Sequence, residues 1–281
     1  MIKNNFKILI LIFATIFMIS CKNEIKPTSK KLTSLKGKNI LMVYGGWDGH
    51  QPAVFVTKVS KWLELAGAKI TLSDSLGVYT NKKIMDKTDL IIQYWTMGEI
   101  TKEQFLGLEN AIKRGVGLAG CHGGLWDSFR QNTEYQYIIG GQWVEHPGGK
   151  IDYTVNVLDV NDPISDGIKD FEIKDTEQYY MHIDPNTKVL ATTKFTDSIH
   201  SWIKDRVMPV AWKTYYGNGR VFYLSIGHDP KDFDTGGAKE LLFRGIRWAS
   251  GSRYEPKENT LSAVYEWPTV KIENLFWLLL T

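Results

Sequence analysis

Cysteine is nearly absent. Cys21 and Cys121 are the only two in 281 residues, so at most one disulfide is available and the fold has to rest on a hydrophobic core. An excess of one charge is lacking as well: 34 basic against 31 acidic residues leave a net +3, with no long basic run beyond the N-terminal segment. That balance argues against a nucleic-acid partner. The apolar stretch ILILIFATIFMIS at 8–20 falls short of the roughly 20 residues that a membrane-spanning helix needs. There is no internal repeat, and no HExxH pair to mark a metalloprotease. What remains is a chain with 43% hydrophobic residues, ample for a single large α/β body.

The first twenty residues read as a secretory signal, with Lys3 and Lys7 ahead of the apolar run. The run ends MISC, which resembles a bacterial lipoprotein box, although Met18 replaces its usual Leu. The resemblance implies cleavage before Cys21, lipidation of that residue and tethering to the cell envelope, on the periplasmic face or the cell surface. Cys121 is then the sole free thiol. Residues 21–38, rich in Lys, Ser and Thr, fit a flexible tether, so the folded domain is expected to span 39–250. The tail 251–281 ends in the apolar ENLFWLLLT, which is open to packing on the domain or to holding a partner.

Within the domain, NILMVYGG (39–46) is a continuous apolar run, as in a strand buried on both faces of a parallel sheet. Helical periodicity follows over 52–67, opened by Pro52 and stopped by Gly67. Strands are expected at 69–72, 89–95 and 116–120, with a helix at 101–115 whose Thr101 and Gln104 form a capping box. Further strands fall at 150–157, 188–195, 209–216 and 220–227, the last two joined as a hairpin by GNG, and a helix closes the domain over 238–250. The alternation gives a doubly wound α/β fold in three layers, with a mixed sheet.

In such sheets ligands bind beyond the carboxyl ends of the strands. His50 follows the first strand, His122 follows VGLAG and His228 follows RVFYLSIG, while His146 lies in the glycine-rich loop GGQWVEHPGG. Imidazoles converging there suit ligation of a divalent metal such as zinc, or acid–base work near neutral pH. Acidic partners are Asp48, Glu145 and the segment KDTEQYYMHID, which supplies Glu177, Tyr179 and Asp184 and otherwise reads as a polar surface loop. Glu177 and Asp184 are candidate bases, ligands or sugar-hydroxyl acceptors. Trp47 and Trp143 sit in glycine-rich loops, where an indole stacks on a sugar ring.

The segments GGWDGH, CHGG, GGQWVEHP, PVAW, YGNGRVFYLSIGHD and RGIRWA are similar in kind and order to those of trehalose-utilisation (ThuA-like) proteins. The resemblance covers residues 39–250 and implies a flavodoxin-like fold of the class I glutamine amidotransferase type, with an elbow after one central strand. Small residues two before and two after the elbow favour His122, flanked by Gly120 and Gly124, over Cys121. The acid expected two residues after His228 is replaced by Pro230, so glutaminase chemistry is not expected. The resemblance implies carbohydrate processing instead: a hydrolase or lyase acting on a sugar or glycoside, keto sugars included, with His122, His228, Glu177 and Asp184 as catalytic candidates. Trp47, Asp48, Trp143, Glu145 and Tyr179 are candidate substrate contacts, and His50, His122, His228 and His146 candidate metal ligands. The competing expectation is a non-catalytic sugar-binding lipoprotein.

Overall fold

A computed structural model describes residues 31–158, 161–196 and 200–257 of the chain. The signal segment, Cys21 and the tail from 258 onward lie outside the described residues.

Strands β1 (Asn39–Gly46), β2 (Lys69–Ser73), β3 (Leu90–Thr96) and β4 (Gly117–Cys121) are joined by helices α1 (Pro52–Leu65), between β1 and β2, and α2 (Lys102–Lys113), between β3 and β4. Alternation along β1 sorts its side chains between two cores. Ile40 and Met42 pack with Phe55, Val59 and Leu63 of α1 and with Ile246 of the last helix. Leu41 and Val43 pack with Phe105, Leu108 and Ile112 of α2. The sheet is thus covered on both faces, which is why these strands read as unbroken apolar runs. The capping box at Thr101 and Gln104 is formed as expected, fixing the start of α2.

Downstream come the short helices α3 (His122–Trp126) and α4 (Thr133–Ile139), strands β5 (Gly141–Glu145), β6 (Lys150–Val157), β7 (Phe171–Glu177), β8 (Tyr180–Ile183), β9 (Lys188–Lys194), β10 (Val207–Tyr216) and β11 (Gly219–Leu224), and helix α5 (Gly236–Ser250). Nine strands form one sheet in the order β2-β1-β3-β4-β11-β10-β9-β6-β7. The β2 to β11 half is parallel and the remainder antiparallel, giving the mixed sheet expected from the sequence. Because each step from β11 to β7 reverses direction, β7 again runs with β11, and its last residue, Glu177, points toward the carboxyl edge. β6 pairs with β9 in a short register at Asn156 and Val157.

Two sequence expectations change. The segment 174–184 is not a surface loop: it ends β7, crosses over and enters β8, which pairs with β5 as a separate two-stranded arm. Its polar residues Thr176, Glu177 and Gln178 are buried together with Tyr179. Residues 32–38, expected to belong to the tether, are instead part of the folded body. Leu35 is buried, Leu32 packs on the core, and Arg247 donates to the carbonyls of Leu32 and Thr33.

Candidate active site

His122 is the structural pivot. It follows β4 directly, opens α3, and has a φ of 49°. A left-handed conformation costs a non-glycine residue about 1–2 kcal/mol, so packing around it must hold it there. The flanking glycines permit that packing. A Cβ on Gly120 would stand 2.6 Å from the Gln93 carbonyl oxygen, and one on Gly124 would strike the ring of Tyr94. His122, not Cys121, therefore occupies the elbow. Cys121 is fully buried, and burial followed by the nearby Asp232 charge pushes its thiol well above the usual range, which leaves no thiolate nucleophile.

Three further side chains converge on this imidazole. His50, in the single turn after β1, has its ring centroid 4.6 Å from that of His122, and His228, after β11, is at 5.5 Å. Tyr94, in the middle of β3, ties these two loops together by donating to the Gly227 carbonyl at 2.6 Å and approaching the His50 carbonyl at 3.2 Å. Glu177 arrives from β7, with Oε2 3.1 Å from His122 Nε2 and Oε1 3.2 Å from His228 Nδ1.

Hydrogen bonds on the far side of the rings decide what each presents to the centre. His122 Nδ1 lies 2.8 Å from the Ser225 carbonyl, which only accepts, so Nδ1 carries a proton and Nε2 faces inward. His50 Nδ1 bonds Thr96 Oγ1 at 2.8 Å, leaving its Nε2 for the centre. His228 Nδ1 is buried without a hydrogen-bond partner among the described residues, because Glu177 lies off its bonding direction. Burial, then the charges of His122 and His228, pushes His50 down to about 2, so it stays neutral at ordinary pH. Burial alone would raise the Glu177 carboxyl, but His122 and His228 outweigh it and hold it well below the carboxylate range.

One ligand atom each from His50, His122, Glu177 and His228 lies within 4.8 Å of the others. Three imidazole nitrogens and one carboxylate oxygen suit zinc or a similar ion, and two ligands of one tetrahedral zinc stand about 3.3 Å apart. The 3.1 Å between His122 Nε2 and Glu177 Oε2 matches that spacing. The backing of His122 by a carbonyl and of His50 by a hydroxyl is the outer support metal-bound imidazoles receive. An orphaned, buried nitrogen at His228 completes the fit.

The other expected residues divide. Tyr179 is buried, stacks on the His122 ring at 4.2 Å and places its hydroxyl 2.8 Å from Nε2. His146 stands outside the ligand group, a correction to its expected role: it lies in the loop after β5, half exposed, with Nε2 3.7 Å from Glu177 Oε1. Glu145 beside it is exposed and accepts from the His146 backbone N–H. Trp47, 46% exposed, packs against His50 with ring centroids 4.7 Å apart and near-perpendicular planes, with exposed Asp48 next in the chain. Trp143 is no open platform, since the Arg130 guanidinium covers its ring at 4.4 Å. Asp184 does not join the site: it ends the arm, its carboxylate accepting the Asn186 N–H.

Sequence reasoning missed Thr96, Tyr94 and Asp232. Asp232 is buried, accepting from the Thr176 hydroxyl at 2.7 Å and the Asp229 N–H at 3.3 Å, and so braces the segments carrying Glu177 and His228. Thr96 alone carried a readable signal, as the last residue of a buried strand.

Comparison with known proteins bears on the family and the fold. The family model described as trehalose utilisation matches residues 39–249. A ThuA-like protein from Bacteroides uniformis is similar at 17% identity and a TM-score of 0.62, covering 79% of this chain and 94% of that one. Another from Parabacteroides merdae, also 17% identical, gives a TM-score of 0.64 over 79% and 93% of the two chains. A cytoplasmic protein from Salmonella typhimurium shares the fold more loosely, at 12% identity and a TM-score of 0.51 over 73% and 98%. No curated protein matches the chain. By its matched span and its fold, the chain belongs to the trehalose-utilisation (ThuA) family.

Proposed function

We propose that this protein is a carbohydrate-processing enzyme, a hydrolase or lyase acting on a sugar or glycoside, keto sugars included, at a centre built on a divalent ion such as zinc. The observation that carries the reading is the convergence of His50, His122, Glu177 and His228, from four separate strand ends, on one small volume. A purely structural cluster has no reason to keep a strained imidazole, an orphaned ring nitrogen and a charged carboxylate together.

His50, His122, Glu177 and His228 would hold the ion. When bound, with a fifth position left open beside these four ligands, it would polarise a sugar carbonyl or make water a nucleophile at neutral pH. The protein's residues supply the rest. Trp47 offers its exposed indole to the apolar face of a sugar ring beside His50. His146, half-buried with Nε2 3.7 Å from Glu177 Oε1, would meet a substrate hydroxyl or the leaving oxygen and exchange a proton with it. The arm formed by β5 and β8 leads into the loop that carries His146. The expected tether at Cys21 belongs to the same reading and puts this chemistry at the cell envelope; radiolabelled palmitate lost on Cys21→Ser would support it, and unchanged labelling would contradict it.

The test is turnover of a panel of glycosides and keto-glycosides by the full chain and by His122→Ala. Product from the wild type and at least a thousandfold loss in a folded variant support the reading. Saturable sugar binding with no product from either overturns it in favour of a binding protein.

A further inference from the structure

The Tyr179 hydroxyl has one hydrogen-bond partner among the described residues, His122 Nε2 at 2.8 Å. Because His122 Nδ1 already donates to the Ser225 carbonyl, Nε2 is the atom that accepts from Tyr179 in the neutral ring, the form that an ion binds. It is also the atom that faces Glu177 and the other three ligands. An ion that takes the Nε2 lone pair therefore removes the acceptor of a buried phenol. Leaving that hydroxyl unpaired is costly, and the ring cannot swing away, since it is buried against His122 at 4.2 Å with an interplanar angle of 27°. An oxygen completing the shell of the ion beside Nε2 is then within its reach.

Resting on the ion site proposed above, we infer that Tyr179 is the specificity-determining donor of this centre. Its O–H bonds the neutral His122 ring when the site is empty and passes to the substrate oxygen when an ion is held. The ligand class follows: molecules that present a hydroxyl, carbonyl or carboxylate oxygen to the ion are favoured, while sulfur ligands, poor acceptors of a phenol, gain nothing. Two roles that look alike are thereby separated. A ligand or a purely structural tyrosine would support ion binding, whereas a donor that switches acceptor competes slightly with the ion and assists only what binds afterwards.

The experiment uses the full chain with cobalt(II), whose visible bands report both its uptake and its coordination shell. Wild type and Tyr179→Phe are titrated with cobalt(II), and each loaded protein is then titrated with acetate and, separately, with ethanethiol. Expected are cobalt(II) affinity equal to or a few-fold tighter than wild type in Tyr179→Phe, acetate affinity weaker by roughly tenfold, and ethanethiol affinity unchanged. Uptake of cobalt(II) by the variant itself reports an intact fold. Loss of cobalt(II) binding in Tyr179→Phe, or unaltered acetate affinity, overturns the inference while leaving the ion site standing. Failure of the wild type to bind cobalt(II) overturns the ion site and this inference with it.

Discussion

His122 Nε2 and Glu177 Oε2 stand 3.1 Å apart across 55 positions of the chain. With His122 Nδ1 committed to the Ser225 carbonyl, the pair brings an imidazole lone pair against a carboxylate oxygen. Two acceptors rest so close only when a positive charge, a proton or a metal ion, lies between or beside them. Glu177→Gln keeps the shape and removes the negative charge. It should weaken zinc binding at least about a hundredfold with no change in far-ultraviolet circular dichroism, as read by competition with a chromophoric chelator. Undiminished affinity would remove Glu177 from the ligand set.

The elbow depends on close backbone approach. Gly124→Ala places a methyl group in the Tyr94 ring, and Tyr94 in turn ties the loops of His50 and His228 together. Overpacking of this kind costs about 1–3 kcal/mol, so the urea midpoint should fall and activity with it. A variant as stable and active as wild type would mean that the elbow tolerates a side chain there.

Cys121 is a packing residue beside the elbow. Cys121→Ser buries a hydroxyl in an apolar setting and should cost about 1–3 kcal/mol in denaturant unfolding while turnover per folded molecule stays within about twofold. A folded Cys121 variant with little activity would reverse the assignment.

Acid stability has a separate source. Burial alone would raise the Asp162 carboxyl, but Lys213, at 2.6 Å, and Lys188, at 2.9 Å, hold it below the ordinary range. Its folded value thus lies beneath its unfolded one. The stabilisation is complete above the unfolded value, about 4, and is lost as the pH falls through the folded value. Thermal unfolding between pH 6 and pH 2 should show this decline in the wild type and a shallower one in Asp162→Asn. That variant should also be about 3 kcal/mol less stable at neutral pH, because it takes a carboxylate from the fully buried Lys213. Parallel curves for the two proteins would contradict the assignment.

The legible parts of this chain were those where one physical pattern acts alone. Strands covered on both faces read as apolar runs, so β1, β3 and β4 and the histidines just beyond β1 and β4 could be placed from the sequence, as could the glycine spacing around His122. The arm could not. β5 and β8 are short and pair across a long stretch of intervening chain, so the segment holding Glu177 and Tyr179, though named as candidates, also read as a surface loop, and their burial did not show. Asp184 looked equivalent to Glu177 in composition, yet it lies past the end of β8 rather than at the end of β7. His146 was grouped with the other imidazoles because sequence shows proximity to a loop, not the depth at which that loop lies. Asp232 gave no sign at all, since its partner Thr176 is 56 positions away.

The central claim is that four side chains, and not His146, hold one divalent ion. Zinc content after equilibrium dialysis of the full chain tests it most directly, comparing wild type with His50→Ala, His122→Ala, Glu177→Gln, His228→Ala and His146→Ala. The account predicts about one zinc per chain in wild type and in His146→Ala, and little in the other four. Zinc-free wild type, or stoichiometric zinc in His122→Ala, would contradict it.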